Sequence, residues 1–96
     1  MTYSIEKVTT LIGARRFGES DANIGFILTD SRSLCFPEET LFFALKSERN
    51  DGHNYIPELY RRGVKNFVVA DVPENYDTEY KDANFLKVVN VLEALQ

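Results

Sequence analysis

The spacing of two apolar runs constrains this chain most. Residues 40–45 (Thr40-Leu41-Phe42-Phe43-Ala44-Leu45) form a run of strand length, and Phe67-Val68-Val69 within residues 66–70 forms another. Between them, Tyr55, Ile56, Leu59 and Tyr60 recur at helical spacing over residues 52–62. Asp51 can cap that helix, Arg61 and Arg62 suit its negative end, and Gly63 stops it. Strand, helix and strand at this spacing predict a right-handed parallel crossover. A strand that is apolar throughout is covered on both faces.

The flanks fit the same plan. Ile5, Val8, Leu11 and Ile12 predict an amphipathic helix over 4–12, capped by Ser4 and stopped by Gly13. Residues 24–29 read as one strand despite Gly25, residues 46–52 as a loop, residues 85–89 as a short buried strand, and Asn90 as the start of a helix. The expected fold is a three-layer α/β/α domain with a mixed sheet of about five strands. Its 96 residues suffice for one domain, residues 1–96.

Charge and composition exclude several classes. Residues 71–82 carry five acids against Lys81, which accounts for the whole net charge of −4, while the rest holds ten acids and ten bases. That acidic stretch, with Pro73 inside it, reads as a solvated loop far from any phosphate site, and no basic nucleic-acid footprint is present. No apolar stretch approaches the roughly 20 residues of a membrane span, so no membrane insertion is expected. The N-terminus lacks the pattern of a secretion signal. Cys35 is the only cysteine, which points to a reducing, cytoplasmic setting.

Catalytic chemistry has few carriers. His53 is the only histidine, so metal sites of the usual Cys/His types are not expected. The chain has no Gly-x-x-x-x-Gly-Lys-Ser/Thr loop and no Gly-x-Gly-x-x-Gly. A self-contained enzyme is therefore not expected, and no catalytic residue is assigned.

Binding has more. Ligands of open α/β sheets sit beyond the carboxyl ends of strands. Asp30-Ser31-Arg32 and the Ser47-Glu48-Arg49-Asn50 loop both follow predicted strands. The Ser31 hydroxyl and free main-chain groups of residues 47–50 suit the alternating donors and acceptors of a pyrimidine edge. Arg32 and Arg49 suit a pyrophosphate. Each has a plainer reading beside it: Asp30 as a turn acceptor, Arg32 as a surface ion-pair partner, Asp51 as a helix cap, His53 as a first-turn residue bonded nearby. From the residues alone, a small-molecule-binding module and a non-enzymatic α/β protein-interaction domain both remain open.

Thr29-Asp30-Ser31-Arg32, Leu41-Phe42-Phe43-Ala44-Leu45, Asp51-Gly52-His53-Asn54-Tyr55-Ile56 and Gly63-Val64 before Val68-Val69 resemble, in order and spacing, the N-terminal domain of Mur ligases. The resemblance implies a UDP-substrate-binding domain, ending before the ATP-binding domain, of an enzyme that extends UDP-N-acetylmuramoyl peptides in peptidoglycan synthesis. Within the family the pattern is most similar to the branch that adds D-alanyl-D-alanine to UDP-N-acetylmuramoyl-tripeptide; the branch that adds the third residue shares much of it. Ser33-Leu34-Cys35-Phe36-Pro37-Glu38-Glu39 replaces the more usual Val-x-x-Gly-Asp lead, and resembles members fused to an alanine racemase.

By that resemblance Ser31 meets the uracil, and Glu48, Arg49 and Asn50 flank the uridine, with Ser47 standing where a glycine is common. Arg32 belongs to the same UDP site, shaped by Asp30, Asp51 and His53. Partners would be the UDP-muramoyl-tripeptide and the remaining domains of the parent ligase. ATP and magnesium would act in those domains, and pyridoxal phosphate only where a racemase is fused. No metal or cofactor is assigned to this chain.

Overall fold

Ser4 begins the first helix by accepting the Lys7 amide proton on Oγ, at 3.2 Å. In the computed structural model, which describes residues 2–96, the elements in chain order are β1 (Tyr3–Ser4), α1 (Ile5–Leu11), β2 (Arg15–Phe17), β3 (Asn23–Ile24), β4 (Phe26–Leu28), β5 (Thr40–Phe43), α2 (Ile56–Arg61), β6 (Asn66–Val69), β7 (Asn84–Lys87) and α3 (Val91–Leu95). Five strands form one mixed sheet in the order β2-β7-β6-β5-β4. β4 to β7 are parallel, and β2 runs antiparallel on the edge beside β7. The parallel pairing of β5 with β6 around α2 is the crossover expected from the spacing.

The alternation of β5 explains its unbroken apolarity. Phe42 packs with Ile56 and Leu59 of α2, and with Phe67 and Phe85 of the neighbouring strands. Leu41 and Phe43 face the other way, onto Ile5 and Val8 of α1 and Val91 of α3. Every residue of β5 and β6 is buried. The phenylalanines pack as an edge-to-face pair, Phe42–Phe67 at 6.3 Å, and a stacked pair, Phe67–Phe85 at 5.3 Å. Each such ring contributes roughly 1.5–3 kcal/mol by leaving water. Helices thus cover both faces, giving the three layers.

Four local expectations are corrected. The strand over 24–29 is split at Gly25, whose amide donates to the Glu39 carbonyl at 2.8 Å: residues before it pair with β1 in a small separate ladder, and only β4 after it joins the main sheet. Residues 52–62 are not one helix. Pro57 has no amide proton for the His53 carbonyl, so Gly52–Tyr55 stay in a 3-10 turn before α2 begins. The short edge strands β1 and β2 carry no apolar run and had not been expected. Finally, the acidic segment 71–82 is not simply a solvated loop, because Tyr80 is buried and Tyr76 packs on the core.

Two asparagines at the starts of β6 and β7 are buried. Asn84 Nδ2 donates to Asn66 Oδ1 and to the Ser20 carbonyl, each at 2.9 Å, while Arg16 Nε donates to Asn84 Oδ1 at 3.2 Å. This polar chain ties the edge strand β2 to the sheet centre. No helix among the described residues is long and apolar enough to cross a membrane.

Candidate functional site

The four parallel strands end on the same side, and the segments that follow them surround a cleft of about 860 Å³. Thr29 to Arg32 follow β4, Ala44 to Ser47 follow β5, Ala70 and Asp71 follow β6, and Val89 and Asn90 follow β7; all of them line it.

The first wall is a turn that holds itself. Asp30 Oδ1 accepts the Arg32 amide proton at 3.0 Å, capping a 3-10 turn over Ser31–Ser33. The same carboxylate takes the Arg32 guanidinium, Nε at 3.1 Å and Nη2 at 2.8 Å. The Arg32 side-chain bond, with the backbone bond behind it, holds the Asp30 carboxyl down to about 2. Arg62 Nη1, from the residue after α2, donates to the Ser31 carbonyl at 3.1 Å. The Ser31 hydroxyl makes no hydrogen bond among the described residues, so it is available to a ligand as donor and acceptor.

The second wall is a hairpin-like loop. Lys46 and Asp51 bridge across its base. The Ser47 amide donates to the Asn50 carbonyl at 2.7 Å, so these two main-chain groups serve the loop and are not free for a ligand. That corrects the expectation of unpaired main chain throughout 47–50. Tyr55 Oη donates to Asn50 Oδ1 at 3.0 Å and steadies the loop from the following turn.

Asp51-Gly52-His53 joins this wall to the next. Gly52 crosses so close to β5 that a Cβ there would lie 2.8 Å from Ala44 Cα and 2.8 Å from Leu45 N, so only glycine fits. Asp51 Oδ1 accepts the His53 amide proton at 3.0 Å and lies 2.7 Å from His53 Nδ1. Those bonds, the backbone one first, lower the Asp51 pKa. His53 Nε2 accepts the Ala70 amide proton at 3.1 Å and faces the Asp71 amide at 3.4 Å. The hydrogen bonds therefore assign the Nδ1–H tautomer, with Nε2 as acceptor.

The structure brings Ser31, Arg32, Ser47 and Asn50 to one cleft, together with Asp30 and His53. Glu48, Arg49 and Asp51 do not line it, though Asp51 is bonded to His53, which does. Lys46, Tyr55 and Asp71 do line it and had not been singled out as site residues. Asp71 also corrects the placing of the acidic segment far from the site. Lys46 and Asp71 are traceable in the sequence, since each stands just past a strand end; the helical apolar spacing of Tyr55 marks it only as a core residue.

In open α/β sheets, small ligands bind in clefts of this kind, at the carboxyl edge between the loops. The chain belongs to the Mur ligase family: the family profile described as "Mur ligase family, catalytic domain" matches residues 23–96. A UDP-N-acetylmuramoyl-L-alanyl-D-glutamate–2,6-diaminopimelate ligase from Clostridium tetani (strain Massachusetts / E88) is 35% identical over 78 residues, 81% of this chain. Two crystal structures of MurF from Acinetobacter baumannii match 99% of the chain with TM-scores of 0.77 and 0.81, at 22% and 23% identity. The chain spans 16% of the Clostridium protein and 20% of each Acinetobacter chain.

Proposed function

We propose that this chain is the N-terminal, substrate-anchoring domain of a peptidoglycan ligase, and that its cleft holds the UDP end of a UDP-N-acetylmuramoyl peptide. The observation that carries this reading is the meeting of the Ser31 turn and the Ser47–Asn50 loop at one cleft. The Ser31 hydroxyl and the Asn50 side chain offer donors and acceptors to the uracil edge. Holding the remote end of a substrate supplies orientation at the distant reacting carboxylate rather than bond-making. ATP and magnesium belong to the longer enzyme in this reading. Among the described residues there is no cluster of three or more His, Cys, Asp or Glu to hold a metal, and no step of phosphoryl chemistry is assigned to them.

For the longer enzyme we propose addition of D-alanyl-D-alanine to the UDP-muramoyl-tripeptide. The fold likeness to MurF over 99% of the chain is compatible with this, alongside the motif pattern. The 35% identity to a diaminopimelate ligase favours a second reading, addition of the third residue. ATP-dependent ligation by the longer protein, supplied with either D-alanyl-D-alanine or diaminopimelate, separates the two.

Titration of the isotope-labelled chain with UDP tests the anchoring role itself. Amide shifts confined to Ser31, Ser47, Asn50 and their neighbours are expected. A spectrum unmoved at millimolar UDP refutes the reading and favours a protein-interaction domain.

A further inference from the structure

We propose that Lys46, and not Arg32, is the cation that meets the diphosphate of a uridine nucleotide in the cleft. The proposal deepens the anchoring role above and rests on it. Apart from His53, four residues of full charge at neutral pH line the cleft: Asp30, Arg32, Lys46 and Asp71. Asp30 and Arg32 neutralise each other through three contacts of 2.8 to 3.3 Å. A phosphate seeking Arg32 would compete with a carboxylate only two residues away along the chain, which is always present at high local concentration. Arg49, the other cation expected at a pyrophosphate, does not line the cleft.

Lys46 differs on both counts. It stands just past β5, and its backbone bridges to Asp51, so the root of the side chain is fixed. Its ammonium forms no ion pair among the described residues, although it stands near enough to Asp51 to help lower that carboxyl, and the residue is exposed and lines the cleft. It is a compact charge with three donors, suited to oxygens of either phosphate without a planar match. It also lies next to Ser47, so a base held between Ser31 and the 47–50 loop leaves its diphosphate near the same strand end. Asp71, at the end of the adjacent strand β6, is the opposing term: an acid with no ion pair among the described residues that disfavours an anion. Lys46 and Asp71, the two cleft charges outside any ion pair, therefore set the preference of the cleft for UDP over uridine.

The test is a parallel titration of the 96-residue chain with uridine and with UDP at low salt, followed by amide shifts. The wild type prefers UDP, and added salt erodes that preference. Lys46→Met lowers UDP affinity about tenfold, the worth of one hydrogen bond to a charged group, with little change for uridine. Asp71→Asn moves UDP affinity the other way. Arg32→Met loosens the Ser31 turn and weakens both ligands alike. Lys87→Met, on β7 and outside the cleft, controls for overall charge and leaves the ratio unchanged. An unchanged UDP-to-uridine ratio in Lys46→Met overturns the proposal, as does a collapse of that ratio in Arg32→Met alone. A wild type that binds both ligands equally also overturns it, yet leaves the base-binding role standing; a wild type that binds neither refutes both.

Discussion

His53→Ala removes a strut between two walls of the cleft, and its cost can be worked out from the bonds it breaks. The imidazole is mostly shielded, with 17% of its side chain exposed, and it accepts the Ala70 amide proton while donating to Asp51. Truncation leaves the Ala70 N–H without its acceptor in a half-buried position, worth about 1–3 kcal/mol. Asp51 keeps its bond to the backbone of residue 53, so the cap survives and the loss centres on Ala70. A net cost of about 2 kcal/mol corresponds to a fall in Tm of roughly 8–16 °C for a domain of this size. His53→Gln places an amide oxygen where Nε2 stood and should recover about half of that, because it restores the acceptor for Ala70. Urea unfolding followed by circular dichroism measures the difference, with an unchanged m-value expected. Hydrogen exchange at the Ala70 amide locates it: exchange should accelerate in His53→Ala and slow again in His53→Gln. A His53→Ala protein within 0.5 kcal/mol of wild type, or an Ala70 amide indifferent to the change, refutes the strut.

Gly52→Ala forces a methyl group against the backbone of Ala44 and Leu45, and should cost about 1–3 kcal/mol or more by overpacking, read from the urea midpoint. The Asp30 carboxyl, held at about 2 against an ordinary 3.8, gives the Ser31 turn support that is present above 3.8 and lost as pH falls towards 2; the Arg32 Nε–H resonance should shift in that window, and Asp30→Asn should abolish the shift. Tyr60 donates to the Asp82 carboxylate, and that bond with partial burial pushes its phenol up to about 12. The stability tied to this bond is complete below the ordinary value of 10.0 and lost as pH rises towards 12; ultraviolet titration should show a late phenol ionisation that is lost in Tyr60→Phe.

What could be read in advance follows a physical division. β5 and β6 are covered on both faces, so burial wrote itself into unbroken apolar runs. β2 is an edge strand whose Arg15 and Arg16 point to solvent or to the Asn84 network, and it has no apolar period to betray it. Ser31 and the 47–50 loop were found by their place at strand ends, which topology alone converts into proximity. The direction of a flexible side chain is different. Arg32 turns back onto Asp30 because an acceptor two residues away wins over solvent, and no spacing rule distinguishes that from a side chain reaching for a phosphate. The acceptor role of His53 Nε2 depends on a partner 17 positions further along the chain, and was visible only once β5 and β6 lay side by side.

The bonds around the cleft converge on one short stretch, residues 52–62 with the Asp51 cap before it. Tyr55 holds the loop after β5 through Asn50, His53 holds the segment after β6 through Ala70, and Arg62 holds the turn after β4 through the Ser31 carbonyl. The same stretch buries Ile56 and Leu59 against Phe42 and Phe67, so it is anchored in the core between its polar contacts. Three loops from three strands are therefore referenced to a single rigid body, and their relative positions inherit the precision of core packing. A cleft built this way does not need each loop to be stiff by itself: the Ser31 turn and the 47–50 loop can stay short and exposed while their separation is set by the 3-10 turn and α2 behind them. Loosening the packing of α2 should accordingly disturb all three walls together, whereas cutting one polar tie should free one wall and leave the other two in place.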